Sequence, residues 1–211
     1  MKKSKLRASL LMMMLVVATL FSGCNKKDSN EKEYVKGTVT DDTYESEFLN
    51  LSFKAPEDYS MVPEETLDQY LQFASETMYK DADKKMIDYA KAVTVYEMMC
   101  AENTTNTPNV NIVVENLSGK KITVDEYIEQ SKEQLENSGI EYTFGDTIND
   151  VEIAGEKYRE LDCVGNYSGQ EVLQQMYIRK VNDRMVVLTV TYTDDTAEAK
   201  EALLAGFTAL K

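Results

Sequence analysis

No histidine occurs among the 211 residues, which removes Ser-His-Asp and Cys-His catalysis and histidine-ligated zinc together. There is no tryptophan on which a sugar ring could stack, no glycine-rich phosphate loop and no Cys-x-x-Cys pair. Carboxylates, tyrosines and three cysteines remain. A hydrolase built on two carboxylates is chemically open. The acidic residues, however, fall mainly in turns and on exposed helix faces, where charge is simply solvated. Asp81-Ala-Asp83 opens like a calcium loop, but Lys85 takes the third ligand position and the glycine is missing. Asp194-Asp195 reads more simply as the start of a helix, where negative charge complements the dipole. No catalytic residue, metal site or cofactor is expected. Cys100 and Cys163 lie in apolar strand-like segments with no basic cluster to lower their pKa. They read as small buried hydrophobes, with a disulfide in an oxidising compartment as the alternative.

Thirteen tyrosines in a chain without tryptophan raise a further question. Tyr158, Tyr167, Tyr177 and Tyr192 lie on neighbouring strand-like segments. They form either cross-strand packing under a helix or an amphipathic interaction surface. The second reading requires the rings to be exposed in one patch.

The remaining cysteine is the one with an assigned chemistry. Lys2, Lys3, Lys5 and Arg7 precede an uncharged apolar run from Ala8 to Ser22. At about 15 residues the run is too short to span ~30 Å of hydrocarbon and the right length for a signal-peptide core. It ends in Leu20-Phe21-Ser22-Gly23-Cys24, which resembles a bacterial lipobox, with Phe21 where leucine is usual. That resemblance implies cleavage before Cys24 and a diacylglycerol on its thiol. An uncleaved anchor would need a longer run, and plain secretion an Ala-x-Ala-like site that is not in place. Two or more acyl chains hold a protein at a membrane where one does so only marginally. The partner expected first is therefore the membrane, reached through the N-terminal lipid, on its extracytoplasmic face.

Loss of residues 1–23, which carry four basic residues and no acidic one, takes the formal charge from −14 to −18. Such a chain repels phosphate backbones, so nucleic acid is not a partner. It is also repelled by anionic headgroups, so lipid must hold it without electrostatic help.

Residues 25–44 are polar, mixed in charge and without apolar periodicity, which predicts a flexible tether after Cys24 with an r.m.s. span of ~25 Å. Residues 45–211 read as one α+β domain. Phe48, Leu49, Leu51 and Phe53 make a strand stopped at Pro56. A helix over 64–79 carries Leu67, Tyr70, Leu71, Ala74 and Met78 as one stripe. Ala92 to Ala101 and Asn109 to Val114 read as a hairpin. Thr123 and Glu126 form a capping box for a helix that buries Tyr127, Ile128, Ser131 and Leu135 and ends near Gly139. A meander follows, with turns at Ala154-Gly155, Tyr167-Ser168-Gly169 and Asn182-Asp183. A last helix, capped by Asp195, lays Ala199, Ala202, Leu203, Phe207 and Leu210 on its buried side. The sum is a mainly antiparallel sheet of about six or seven strands with about three helices packed on it.

That order, with Leu49-Asn-Leu-Ser-Phe53-Lys-Ala-Pro56-Glu-Asp-Tyr59, resembles the PsbP-like α/β/α sandwich of small Gram-positive lipoproteins. In those proteins a phenylalanine strand ends in proline followed by Gly-Trp; here Asp58 and Tyr59 stand instead. The resemblance spans roughly 45–211. It implies a non-enzymatic binding or assembly role at a membrane surface, with another envelope protein as candidate partner, and names no ligand. A small-molecule or cation-binding lipoprotein serving a membrane partner is the alternative.

Overall fold

The structure, a computed structural model, describes residues 32–78, 84–167 and 170–210. Two-residue turns organise its C-terminal half. Ala154 and Gly155, at φ 54° and 81°, close β8 (Asn149–Ile153) onto β9 (Glu156–Tyr167). Positive φ at both positions suits the right-handed twist of the flanking strands. Asn182, at φ 52°, begins the turn between β10 (Gln170–Val181) and β11 (Arg184–Tyr192), which pair from Val181↔Arg184 to Leu173↔Tyr192. With β4 (Tyr59–Met61), β5 (Thr94–Glu102), β6 (Asn109–Asn116) and β7 (Glu141–Phe144) they form one antiparallel sheet, in the order β4-β5-β6-β11-β10-β9-β7. β8 pairs with β9 beyond the stretch that β7 occupies.

Both faces of this sheet are covered. Along β11, Val186, Leu188 and Val190 point to one core while Met185 and Val187 point to another. This is why the strand reads as a continuous apolar run rather than an alternating one. The second face is covered by α1 (Glu64–Met78), α2 (Lys84–Val93) and α3 (Val124–Asn137). The first is covered by a second antiparallel sheet, β1 (Thr38–Thr40), β2 (Thr43–Ser46), β3 (Leu51–Lys54) and β12 (Phe207–Ala209), in the order β1-β2-β3-β12. Leu203 of α4 (Glu198–Ala205) joins that layer.

The Thr123 capping box forms as expected: the threonine hydroxyl accepts from Glu126 N–H, and the Glu126 carboxylate accepts from Thr123 N–H. Tyr127, Ile128, Ser131 and Leu135 are the buried residues of α3, and Gly139 follows its end at φ 84°.

Four expectations are corrected. The described residues hold four α-helices and twelve strands in two sheets, not one sheet of six or seven strands with three helices. α2 is the unforeseen helix. It runs into β5 with no glycine or proline between them, so nothing in the local sequence punctuates the change of period. Residues 32–44 are not a tether: β1 and β2 form a hairpin through Asp41-Asp42, and Tyr44 is fully buried. Polar residues suit β1 because its three positions are exposed. The last helix is shorter than its spacing suggests. A 3-10 turn (Asp194–Thr196), headed by Thr193, precedes α4, and only Leu203 of α4 is buried. At Gly206 a Cβ would lie 2.7 Å from the Lys54 carbonyl oxygen. The chain therefore leaves the helix there against β3, and Phe207 pairs with Phe53 as part of β12. Met78, Asp81 and Asp83 lie outside the described side chains.

Candidate functional site

β5 carries a bulge. Tyr96 stands opposite Val113 and Met98 opposite Ile112, which leaves Glu97 as an extra residue. The bulge turns Glu97 towards the small sheet. A carboxylate there, 2 % exposed, must be supplied with donors or its burial is prohibitive. Three come from the N-terminal hairpin. Tyr34 Oη donates to Glu97 Oε1 at 2.5 Å, while Gly37 N–H and Tyr44 Oη donate to Oε2 at 2.8 and 2.9 Å. Burial, then the Glu97 charge, raise the Tyr34 and Tyr44 hydroxyls well above an ordinary phenol, so both stay protonated as donors. The Tyr34 ring meets Phe48 edge-on at 5.1 Å and lies under the Arg184 guanidinium at 5.0 Å. Gly37 is a steric requirement: a Cβ there would sit 2.4 Å from the Tyr44 ring and 2.7 Å from the Glu45 carbonyl oxygen.

Beside this latch lies a cleft of about 500 Å³. One wall is Gly37, Val39 and Asp41; the other is Met61, Pro63 and Leu67, with Glu97 among the lining residues. Lys36 and Glu64 form an exposed ion pair of 2.5 Å, also on the lining. Its hydrogen bond and charge hold the Glu64 carboxyl below the ordinary range. β1 and β4, which end the small and large sheets, flank the cleft. Both Glu97 oxygens are engaged by donors of the same chain, so the arrangement orders a segment rather than poising a base. What it leaves available is apolar surface, acidic charge and the peptide groups of two sheet edges.

A second buried carboxylate, Glu115 of β6, lies on the helical face, where Tyr127 Oη of α3 donates to it at 2.9 Å. Among the described residues no group of three His, Cys, Asp or Glu could hold a metal ion, and no helix is long and apolar enough to cross a membrane.

The residues singled out by sequence fall as follows. Cys24 lies outside the described residues. Tyr158 and Tyr177 are buried and Tyr192 is half-buried, all three in the core between the sheets. They stand opposite Val151, Leu188 and Leu173 respectively, not opposite one another. The exposed tyrosine patch therefore does not form; the second sheet, which the sequence did not announce, covers the face that would have presented it. The Tyr167 side chain lies outside the described residues. Cys100 and Cys163 are free and buried on opposite faces of the large sheet, so they cannot pair with each other. Burial pushes both thiols up to about 12. Sequence reasoning missed Glu97, Tyr34 and Tyr44. The available signal was a lone carboxylate inside the apolar run from Thr94 to Ala101, which is rare unless a partner is supplied.

No curated protein matches the chain. Among solved structures it is similar to the cyanobacterial PsbP (CyanoP) of Synechocystis sp. PCC 6803, with TM-score 0.45 and 9% identity over 88% of this chain and 98% of that one. LpqN, involved in cell envelope biogenesis of Mycobacterium tuberculosis, has TM-score 0.42 and 11% identity over 75% and 82% of the two chains. PA94 of Pseudomonas aeruginosa, a protein of unknown function, has TM-score 0.38 and 14% identity over 52% and 74%. These are likenesses at low identity, and no chemistry of this chain follows from them. The DcrB family profile matches residues 92–207, from the end of α2 to the start of β12, which is more than half of the sequence, and the chain belongs to the DcrB family.

Proposed function

We propose that this DcrB-family chain is a lipid-anchored extracytoplasmic protein whose domain is a non-enzymatic binding or assembly module for another envelope component. The observation that carries the reading is the position of the cleft. Its wall at residues 36–41 belongs to the segment that leads back to Cys24. Seven residues separate Cys24 from Lys32, and fully extended they reach at most about 29 Å. From Cys24 to Lys36, where the cleft wall begins, the chain reaches at most about 43 Å, so a lipid on Cys24 would keep that wall within this distance of the membrane surface, where an envelope partner would be met. The acidic surface supports a protein or peptide partner over nucleic acid or anionic lipid. A second reading, a small-molecule or cation carrier, is favoured by the cleft volume, which lies within the ~300–1,000 Å³ of ligand pockets.

The anchor is tested by labelling cells with a fatty-acid probe and fractionating them. Wild type is expected to carry label and sediment with membranes, and Cys24→Ala to accumulate as an unlabelled precursor. Unchanged processing in Cys24→Ala would defeat the lipid reading. The binding mode is tested by thermal shift of the detergent-solubilised protein against sugars, amino acids and divalent cations, and by photo-crosslinking from position 39 in intact cells. A saturable shift would favour the carrier, while one discrete crosslinked envelope protein would favour the assembly module.

A further inference from the structure

We propose that the free edge of β1 is a strand-addition site that draws an extended, cationic peptide segment of a partner into the cleft between β1 and β4. The inference rests on the binding-module reading and names the partner's chemistry. In a two-residue hairpin the residues flanking the turn form a hydrogen-bonded pair, and the pairs alternate from there. Thr40↔Thr43 flanks Asp41-Asp42, so Thr38↔Glu45 is the next bonded pair. The N–H and C=O of Val39 therefore point away from β2. Gly37 belongs to the same outward set, and its N–H is received by Glu97 Oε2 at 2.8 Å. Glu97 thus does at Gly37 what a neighbouring strand's carbonyl would do. One step along, the Val39 peptide groups face the cleft and have no strand beside them among the described residues.

Natural sheet edges are usually blunted by lysine, proline, a bulge or a covering loop. Thr38-Val39-Thr40 is short, which itself limits pairing, but it carries no lysine, proline or bulge and no covering loop among the described residues, and all three residues are exposed. The described residues' exposed large hydrophobics, Val35 at 68% and Val39 at 45%, both lie on this segment. Opposite them, Met61, Pro63 and Leu67 offer an apolar wall for alternate side chains of an incoming strand. Charge selects the occupant. Exposed Asp41 lines the cleft beside the Lys36–Glu64 ion pair, with the engaged Glu97 behind them, and the chain's formal charge is −14, which removal of residues 1–23 would take to −18. A second copy would bring like charge to like charge, whereas a lysine- or arginine-bearing strand would be complementary.

The test uses the full chain in neutral detergent with a labelled seven-residue peptide alternating lysine and valine, and its glutamate counterpart. The lysine peptide is expected to bind saturably, to weaken with salt, and to protect the Val39 amide from hydrogen exchange. The glutamate peptide should bind at least about tenfold more weakly. Val39→Pro removes the outward N–H without touching the β1–β2 ladder, and should weaken binding by about tenfold or more with the free protein's Tm unchanged. Asp41→Asn, tolerated at φ 53°, together with Glu64→Gln serves as a second variant and should lose the lysine preference. Binding that survives Val39→Pro, or an unprotected Val39 amide, would overturn the edge while leaving a binding module in place. Absence of lysine-peptide binding alongside a discrete envelope crosslink would do the same. Absence of both would overturn the module as well. A dimer dissolved by Val39→Pro, with no peptide bound, would assign the edge to a second copy instead.

Discussion

Glu97 of β5 and Glu115 of β6 are each 2 % exposed and stand on adjacent strands of one sheet, but in unlike company. Glu115 receives the hydroxyl of Tyr127, 12 residues along the chain, from the helix that follows its own strand. Glu97 draws its donors from 53 to 63 residues upstream, out of the segment from Tyr34 to Tyr44 that leads into and through the β1–β2 hairpin. The Glu115 side is closed by α3, while the Glu97 side borders a cleft. The same side chain at the same depth thus does two jobs. One seats a helix on the sheet next to it. The other ties a distant, solvent-facing strand to the core, with no strand beside its outer edge among the described residues.

The largest effect that would test this contrast is Glu97→Ala. Three buried or half-buried donors would be left without their acceptor, so the variant should lose about 3–5 kcal/mol by urea denaturation. Hydrogen exchange should rise over 32–46 and not over α3. Glu115→Ala should do the reverse, opening 124–137 and sparing β1 and β2. If the two footprints coincide, the carboxylates belong to one network and the contrast is wrong.

Gly37→Ala should come next. Its new methyl must displace the Tyr44 ring and the β2 backbone, at about 1–3 kcal/mol. Combined with Glu97→Ala, its cost should be largely absorbed, because both changes release the same hairpin. Full additivity in a double-mutant cycle would separate the glycine from the latch.

Tyr44→Phe and Tyr127→Phe sharpen the comparison at smaller scale. Each removes one hydroxyl from a buried carboxylate and should cost about 1–2 kcal/mol. Only Tyr44→Phe should loosen β1.

The mildest probe is pH. Burial raises Tyr34, Tyr44, Cys100 and Cys163 in the folded chain, the thiols to about 12. Groups raised on folding contribute stability that is complete below their unfolded values, about 8.5 for a thiol and about 10 for a phenol. It is lost as pH climbs towards the folded values. Stability should therefore fall on the alkaline side above about pH 9, and tyrosinate absorbance should lag behind that of the denatured chain. The two thiols should resist alkylation at about pH 8 until denaturant is added. Ready reaction of Cys163 in the native protein would show that the helical face opens as easily as the cleft face.

Much of the fold was legible wherever the governing energy is local. The Thr123–Glu126 box, the buried face of α3, the Ala154-Gly155 and Asn182-Asp183 turns and the β5–β6 hairpin all depend on residues a few positions apart. The small sheet was not legible. Its strands are three or four residues long, β1 has no buried face, and β12 finds its partner about 150 residues away in β3. Leu203 and Phe207 have the spacing of a helix face, and only the close approach at Gly206 sends the second of them into a strand.

The sequence by itself determined the acidic charge, the absence of histidine chemistry, and the α+β class with its main turns and caps, and it raised the expectation of an export signal ending at the lipobox-like Cys24. These follow from composition and from backbone preferences acting within one turn or one strand. Only the tertiary structure decided that Glu97 is an interior anchor, that Tyr158, Tyr177 and Tyr192 lie between the sheets, and that β1 ends its sheet among the described residues. A buried carboxylate exists only where the fold gathers donors to it, and a free edge only where no other strand arrives. Both are settled by segments that meet in space and not in the chain.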